Sequence, residues 1–280
     1  MNTLLTNTNE SNSSNFANFF PSFHSSYKIG ENFSLQAGYS RRIARPRLWD
    51  LNPFFNIRNN FNIRVGNPDL QPEFTDSYEL TSVYKIGKAS LSSSLYHRYT
   101  TEVVERVATF EDNVTFTTPE NIGTNATYGF ETNGKYSPRK WLTFTGDFNY
   151  NFFDRKGTFE DQVFDFAGNQ WSARLSSKVG LPADIDVELN GNYRSGFETF
   201  QGKQSGFAFM NLGMRKKVFK GKVVVNLGVR DVFASRIQET FVTQEDFENY
   251  SFNQRGRFFT FGISYGFGKG EAMTYSGRRR

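Results

Sequence analysis

The chain has 280 residues, of which 32 are Phe, 13 Tyr and 3 Trp, and its formal net charge at pH 7 is +5. Only 37% of its residues are hydrophobic, and no run approaches the ~18 consecutive apolar residues of a membrane-spanning helix. A disordered polymer would be poor in aromatic residues, and the absence of Cys excludes a disulfide scaffold and thiolate metal sites. The chain is polar on average, yet it carries many large rings.

Apolar and polar residues alternate along most of the sequence. Between 141 and 152 the even positions carry Leu, Phe, Gly, Phe, Tyr and Phe, whereas the odd positions carry Trp, Thr, Thr, Asp, Asn and Asn. Because side chains point alternately to the two faces of a strand, such a segment has one apolar and one polar face. Eleven strands are predicted in chain order: 17–28, 32–43, 73–86, 89–107, 114–137, 141–153, 166–180, 184–196, 205–218, 222–233 and 255–267.

The connections between these strands alternate in length. Short turns at 29–31, 86–88, 137–140, 181–183 and 220–222 are separated by longer connections at 44–72, 108–113, 154–165, 197–204 and 234–254. This alternation is typical of an up-and-down transmembrane β-barrel in an outer membrane, with short periplasmic turns and long outer loops. The sequence therefore predicts an all-β, antiparallel barrel whose apolar faces meet lipid and whose polar faces line a wet lumen. A soluble barrel with an aromatic core is the alternative interpretation.

The strand count and the N-terminus both indicate part of a larger barrel. Eleven is an odd number, whereas bacterial single-chain barrels have even strand numbers. Residues 1–15 have neither the basic start nor the apolar core of a signal peptide. We expect a polar N-terminal segment at 1–16, barrel strands and loops at 17–268, and a polar basic tail at 269–280.

The long connection after the second strand holds the most specific sequence pattern. Tyr-Ser-Arg-Arg-Ile-Ala-Arg-Pro occupies 39–46, Leu-Asn-Pro-Phe occupies 51–54, and Gly-Asn-Pro-Asp-Leu-Gln-Pro-Glu occupies 66–73. Proline cannot donate a ladder hydrogen bond, so these prolines stop strand pairing and stiffen the loop. The pattern resembles that of the TonB-dependent outer-membrane receptor family, in particular the large barrels of Bacteroidetes. Phe-Pro-Ser-Phe at 20–23 and Val-Arg-Asp-Val-Phe at 229–233 are also similar to that family.

The resemblance covers essentially the whole chain and implies the C-terminal half of a 22-stranded barrel with an N-terminal plug. It implies gating by TonB and the proton-motive force, import of scarce bulky nutrients, and insertion by the barrel assembly machinery. The signal peptide, TonB box, plug and first strands do not occur in this sequence, so contact with TonB would be made through a segment outside it. The resemblance implies a structural role for the motif residues Arg41, Arg42, Pro46, Asn52, Pro53, Gly66, Asn67, Pro68, Leu70, Pro72 and Glu73.

The arginines at 41, 42, 45 and 47 allow three interpretations. No nucleic-acid-binding motif accompanies them, so nucleic acid is not expected as a partner. They could contact lipopolysaccharide phosphates or an anionic ligand through charge-assisted hydrogen bonds. They could also pair with Asp50, Asp69 and Glu73 and so order the loop. The residues expected to contact a ligand are Arg45, Arg47, Trp49, Phe54, Phe55 and Arg58.

Three functions remain open: a transporter for an unknown ligand, a structural or adhesive barrel that imports nothing, and an outer-membrane enzyme. The enzyme is disfavoured because the two histidines, His24 and His97, have no metal-ligand spacing. His97 lies within a predicted strand, where a lumenal or interface role is expected. The sequence therefore predicts no catalytic residue, no metal and no cofactor.

Overall fold

The computed structural model describes residues 2–5, 10–13, 18–54, 61–159, 162–199, 201–243 and 247–267. Strands dominate these ranges, and the one helix among them, α1 (Leu48–Leu51), has a single turn. No helix in the described ranges is long and apolar enough to cross a lipid bilayer. The strands are β1 (Asn2–Leu5), β2 (Glu10–Ser13), β3 (Ser22–Ile29), β4 (Phe33–Ala44), β5 (Asn62–Arg64), β6 (Glu73–Ile86), β7 (Ala89–Thr101), β8 (Val104–Glu111), β9 (Val114–Asn121), β10 (Thr124–Arg139), β11 (Leu142–Phe159), β12 (Gln162–Leu181), β13 (Ile185–Arg194), β14 (Phe197–Thr199), β15 (Gly202–Gln204), β16 (Phe207–Val218), β17 (Val223–Arg230), β18 (Ile237–Thr243), β19 (Glu248–Gln254) and β20 (Phe258–Tyr265).

Eleven of the strands form one sheet, hereafter the main sheet. Its order is β3-β4-β6-β7-β10-β11-β12-β13-β16-β17-β20, so each strand pairs with the next main-sheet strand along the chain. Every pairing in it is antiparallel. The predicted all-β, antiparallel up-and-down architecture and the number of strands are confirmed. The sheet is open, with β3 and β20 at its two edges.

Two predicted strands are each divided in the structure. The segment predicted at 89–107 ends its main-sheet pairing at Thr101, and the segment predicted at 114–137 joins the main sheet at Thr124. Between these points Glu102 (φ 55°) and Gly123 (φ 107°) adopt left-handed backbone conformations that turn the chain out of the sheet. The residues between Glu102 and Gly123 form β8 and β9, which pair with each other outside the main sheet.

The connection predicted at 154–165 is mostly strand. Pairing between β11 and β12 continues through Asp154↔Ala167 and Lys156↔Asp165 to Thr158↔Val163. This hairpin therefore rises beyond the neighbouring strands as a regular two-stranded extension. The expectation of a loop was wrong here because the polar composition of the segment does not prevent backbone pairing.

The two faces of the main sheet differ in exposure as the alternation predicts. On β7 the polar-face residues Ser94 and Tyr96 are 5% and 6% exposed, whereas Leu91 and Leu95 on the other face are 48% and 59% exposed. The polar face of the first strands also lines a cavity of about 610 Å³. The large apolar side chains thus cover the face that has no protein against it, as in a sheet whose outer side meets lipid.

Candidate ligand-binding cleft

The long connections fold into structures of their own at one end of the main sheet. β5, β9 and β8 form a three-stranded sheet, and β14, β15, β18 and β19 form a four-stranded sheet. Together with α1 and its flanking loops, these two small sheets are called the rim assembly. A cleft of about 780 Å³ lies between them, and its floor includes Ala44 and Glu73, which end two main-sheet strands.

The motif segments at 51–54 and 66–73 contact each other within the rim assembly. The Gly66 amide donates to the Asn52 carbonyl at 2.9 Å, and the Asn67 amide donates to the Asp50 carbonyl at 2.8 Å. A Cβ atom on Gly66 would lie 2.4 Å from the Asn52 carbonyl oxygen, which is far inside van der Waals contact. Glycine is required at 66 because the two backbones touch there.

The same motif is joined to β9 by side-chain amides. Asn67 accepts from the Asp69 amide at 2.9 Å and donates to the Glu120 carboxylate at 2.8 Å. Asn121 accepts from the Gln71 amide and donates to the carbonyls of Gln71 and Glu102. Burial raises the pKa of Glu120 above its ordinary value, while the bond from Asn67 acts in the opposite direction. The Gly-Asn-Pro segment therefore anchors the β8–β9 hairpin.

Two glutamates hold β8 over the main sheet. Glu73 accepts from the Val104 amide at 2.7 Å, and Glu105 forms an ion pair with Arg155 of β11. The Arg155 guanidinium lies 5.0 Å from the centre of the Phe153 ring, which is itself buried. Burial raises the pKa of Glu105, with Arg155 opposing the shift and the nearby charge of Glu73 adding to it.

The two small sheets are linked across the cleft. The Gln201 side chain accepts from the Ala108 amide at 2.7 Å and donates to the Ala108 carbonyl at 2.9 Å, which reproduces the pairing of a neighbouring strand. The rings of Phe110 and Phe247 stack with 5.4 Å between their centres. These contacts join residues far apart in the sequence, so the cleft walls are fixed relative to each other.

The arginines of the cleft differ in whether a carboxylate neutralises them. Arg106 forms an ion pair with Asp50 at 3.1 Å. Arg45, Arg47 and Arg64 also line the cleft, and within the described ranges none of them forms an ion pair.

The pairing expected of the 41–47 arginine cluster differs from the pairing observed. Asp50 pairs with Arg106 of β8 rather than with the cluster, and Arg41 lies 3.8 Å from Asp76 of the neighbouring strand. Glu73 accepts from the Val104 amide. Asp50 and Glu73 are therefore engaged by β8, and within the described ranges neither they nor Asp69 forms an ion pair with Arg45 or Arg47.

Only some of the residues predicted to contact a ligand line the cleft. Arg45 and Arg47 line the cleft, whereas Trp49 and Phe54 are 82% and 62% exposed and do not. Phe55 and Arg58 lie outside the described residues. Among the motif residues, Pro46 and Glu73 line the cleft, Arg42 lines the cavity on the polar face of the main sheet, and Leu70 and Pro72 are buried.

Several cleft residues were not anticipated from the sequence. Arg64 lies on β5, a short strand within the connection that the sequence predicts at 44–72, and Gln201 and Thr115 come from distant connections. Nothing in their local sequence marks them, because their proximity depends on how the connections pack. No cluster of potential metal ligands occurs in the part of the chain that the structure describes.

The fold and its apolar exposed face define an outer-membrane β-barrel protein. The sequence matches the outer membrane protein β-barrel family over residues 1–265, and the chain belongs to that family. A search of curated protein sequences gave no match.

Solved structures share the fold at low sequence identity. The siderophore receptor PirA from Pseudomonas aeruginosa is 14% identical with a TM-score of 0.58. The alignment covers 88% of this chain and 41% of the PirA chain. The FrpB iron transporter from Neisseria meningitidis is 18% identical with a TM-score of 0.57, and the alignment covers 91% of this chain and 40% of the FrpB chain. The copper transporter OprC is 14% identical with a TM-score of 0.59, covering 86% and 38%. This chain thus spans about two fifths of the length of these proteins.

Proposed function

We propose that this chain is the C-terminal barrel part of a TonB-dependent outer-membrane receptor that imports a scarce bulky ligand. The observation that carries the proposal is the cleft of about 780 Å³, which the rim assembly forms above the polar face of the main sheet. A site in this place would deliver a ligand to the lumen. The structures with this fold are described as receptors and transporters.

Within this proposal the barrel extends over 17–268, with polar segments at 1–16 and 269–280, and forms half of a 22-stranded barrel. Arg45 and Arg47 contact the ligand in the cleft. Trp49 and Phe54 would contact it before it enters, from outside the cleft, and Phe55 and Arg58 are proposed as further ligand contacts. The partners are TonB, reached through a plug encoded with this barrel, the barrel assembly machinery and the surrounding lipopolysaccharide.

The proposal includes no covalent chemistry. His97, the histidine considered for an enzyme, lies on the apolar face of the main sheet, where its ring stacks between Tyr78 and Tyr128 with centres 6.0 and 4.5 Å away. A general base must reach a substrate in a water-accessible site, and this face is turned to lipid. His97→Ala should therefore leave the protein's function intact.

The test compares cells that carry the complete gene with cells in which it is deleted. Both are grown in nutrient-limited medium, and the compounds removed from the medium are measured by mass spectrometry with and without a protonophore. We expect at least one large solute whose removal requires both the gene and the proton-motive force. Identical depletion profiles for the two strains would contradict the proposal.

The alternative is a structural or adhesive barrel that binds at its outer surface and imports nothing. Its support is the set of large side chains exposed in the rim assembly, which includes Trp49, Tyr250 and Phe252. Under this alternative, deletion would change attachment of cells to a surface while the depletion profiles of the two strains stayed the same.

A further inference from the structure

We infer that the cleft binds a soluble, hydrophilic polyanion, meaning a ligand with several carboxylate or phosphate groups. The inference rests on the proposed function, because it names the class of ligand that the same cleft would take. It is carried by two properties of the lining: three arginines without a carboxylate partner, and the absence of aromatic rings among the described lining residues.

The three cleft arginines without an ion pair come from two separate chain segments. Arg45 and Arg47 flank Pro46 after β4, and Arg64 ends β5 on the three-stranded sheet. All three side chains are exposed and border the same cavity. Guanidinium groups bind carboxylate and phosphate through paired, charge-assisted hydrogen bonds, so these arginines form a suitable wall for an anion.

The acidic residues of the cleft are already engaged. Asp50 is paired with Arg106, Glu105 is paired with Arg155, and Glu73 accepts the Val104 amide. Glu73 keeps its charge, but within the described ranges none of these carboxylates forms an ion pair with Arg45, Arg47 or Arg64. The three guanidinium groups are therefore free to bind an anionic ligand.

The rest of the described lining has no aromatic ring, and it mixes hydroxyl and amide side chains with small aliphatic ones. Thr240, Val242, Asn249 and Ser251 face the cleft from β18 and β19. Because side chains alternate along a strand, the rings of Phe241 and Tyr250 on the same strands point to the opposite face. Sites for apolar ligands are lined mainly by hydrophobic and aromatic groups. This cleft instead offers hydroxyls, amides and guanidinium groups, which suit a strongly hydrated anion.

The test measures binding to the complete protein in phosphatidylcholine nanodiscs by isothermal titration calorimetry. The probes are hexaglutamate for carboxylate, inositol hexakisphosphate for phosphate, maltohexaose as a neutral solute and hexalysine as a cation. Purified lipopolysaccharide is the fifth probe, because its phosphates are a second source of the same chemistry. We expect at least one of the two soluble polyanions to bind, with weaker binding at higher NaCl concentration, and no binding of maltohexaose or hexalysine.

Two triple variants separate the cleft from the net charge of the protein. Arg45→Gln/Arg47→Gln/Arg64→Gln should weaken polyanion binding about tenfold or more, because each substitution removes a guanidinium group and its charge-assisted bond to the ligand. The matched control is Arg139→Gln/Arg255→Gln/Arg257→Gln, which removes the same charge from exposed positions outside the cleft lining. The control should change the dissociation constant by no more than about twofold, because distant surface charges are screened.

Several results would overturn the inference. They are equal weakening in both variants, tighter binding of maltohexaose than of either polyanion, or binding of lipopolysaccharide alone. A heat-modifiable shift in gel mobility, checked for each variant, shows that the barrel is folded.

The inference and the proposed function fail in different ways. If the polyanion binds through the three arginines but its uptake by cells is independent of the proton-motive force, the transport proposal fails and the inference stands. If cells import a neutral solute through this protein and the arginine variants do not affect that import, the inference fails and the transport proposal stands.

Discussion

The main sheet and the rim assembly are stabilised in different ways. In the main sheet each strand pairs with the next main-sheet strand, and the backbone ladder is continuous over as many as eighteen residue pairs between β11 and β12. In the rim assembly the two small sheets are joined by contacts of individual side chains between distant residues, such as Gln201 with Ala108 and Asn249 with Thr115. The first kind of order depends on a repeated pattern, and the second depends on individual side chains. The effect of a substitution in the main sheet should therefore depend on which face the residue lies on. In the rim assembly it should depend on which side-chain partner is lost.

The largest effect is expected in the main sheet. Phe148 lies on the apolar face, 6.0 Å from the Trp171 ring centre, and Phe148→Arg would place a cation against the lipid core. It should reduce the free energy of unfolding by about 2–4 kcal/mol, as charged residues at mid-depth do in outer-membrane barrels. The measurement is denaturant-induced unfolding of the complete barrel in lipid bilayers.

The control for that substitution must be a polar-face residue without side-chain partners. Asn149 is unsuitable because it is hydrogen-bonded to Tyr96. Asn133 lies on the polar face of the adjacent strand, is exposed and has no side-chain hydrogen bond among the described residues, so Asn133→Arg should cost far less. Equal costs for the two variants would mean that the faces of the sheet are assigned in reverse.

An intermediate effect is expected at the link between the two small sheets. Gln201→Leu keeps the side-chain size but leaves the Ala108 amide and carbonyl without partners, at a cost of about 1–3 kcal/mol per unsatisfied group. The result should be local: faster hydrogen exchange at Ala108 and its neighbours, with unchanged exchange in β10–β12.

Gln204→Leu is the matched control, since Gln204 also lines the cleft but makes no side-chain hydrogen bond in the described part of the chain. If exchange at Ala108 stayed slow in Gln201→Leu, the two sheets would be held together by other contacts, such as the Phe110–Phe247 stack.

The smallest effect is expected for the ion pair between Arg106 and Asp50. The Arg106 side chain is 63% exposed, and such pairs contribute about 0.2–1 kcal/mol because water screens them. A double-mutant cycle with Arg106→Gln and Asp50→Asn, read by hydrogen exchange of the β8–β9 hairpin, measures the coupling. A coupling well above this range would show that the rim assembly depends on electrostatics more than on its amide bonds.

Alternation predicted the main sheet because the register of a strand with one apolar face is set by that face. The strand predicted at 73–86 has the same bounds in the structure as β6. The same signal failed at Glu102 and Gly123, since β8 and β9 alternate as their neighbours do while pairing in another sheet. Periodicity indicates that a segment is a strand, but it does not indicate which strand will be its partner.

Only the part of the cleft that the long connection at 44–72 contributes could be predicted from the sequence. Arg45 and Arg47 were identified because they lie in an unusual run of arginines. Arg64 and Gln201 could not be identified, since their place in the cleft depends on tertiary contacts across 93 residues or on a three-residue strand. The motif itself has a physical explanation in the structure, because Gly66 and Asn67 lie against Asn52 and Asp50.

The contact at Gly66 has a consequence for how this sequence can diverge. Every other amino acid brings a Cβ atom, and at this position that atom would overlap the Asn52 backbone. By contrast, a Cβ on Gly262 of β20 would meet nothing within 4 Å. Gly262 can therefore be replaced without a steric clash of the new Cβ atom. A replacement of Gly66 requires a compensating shift of the chain around Asn52.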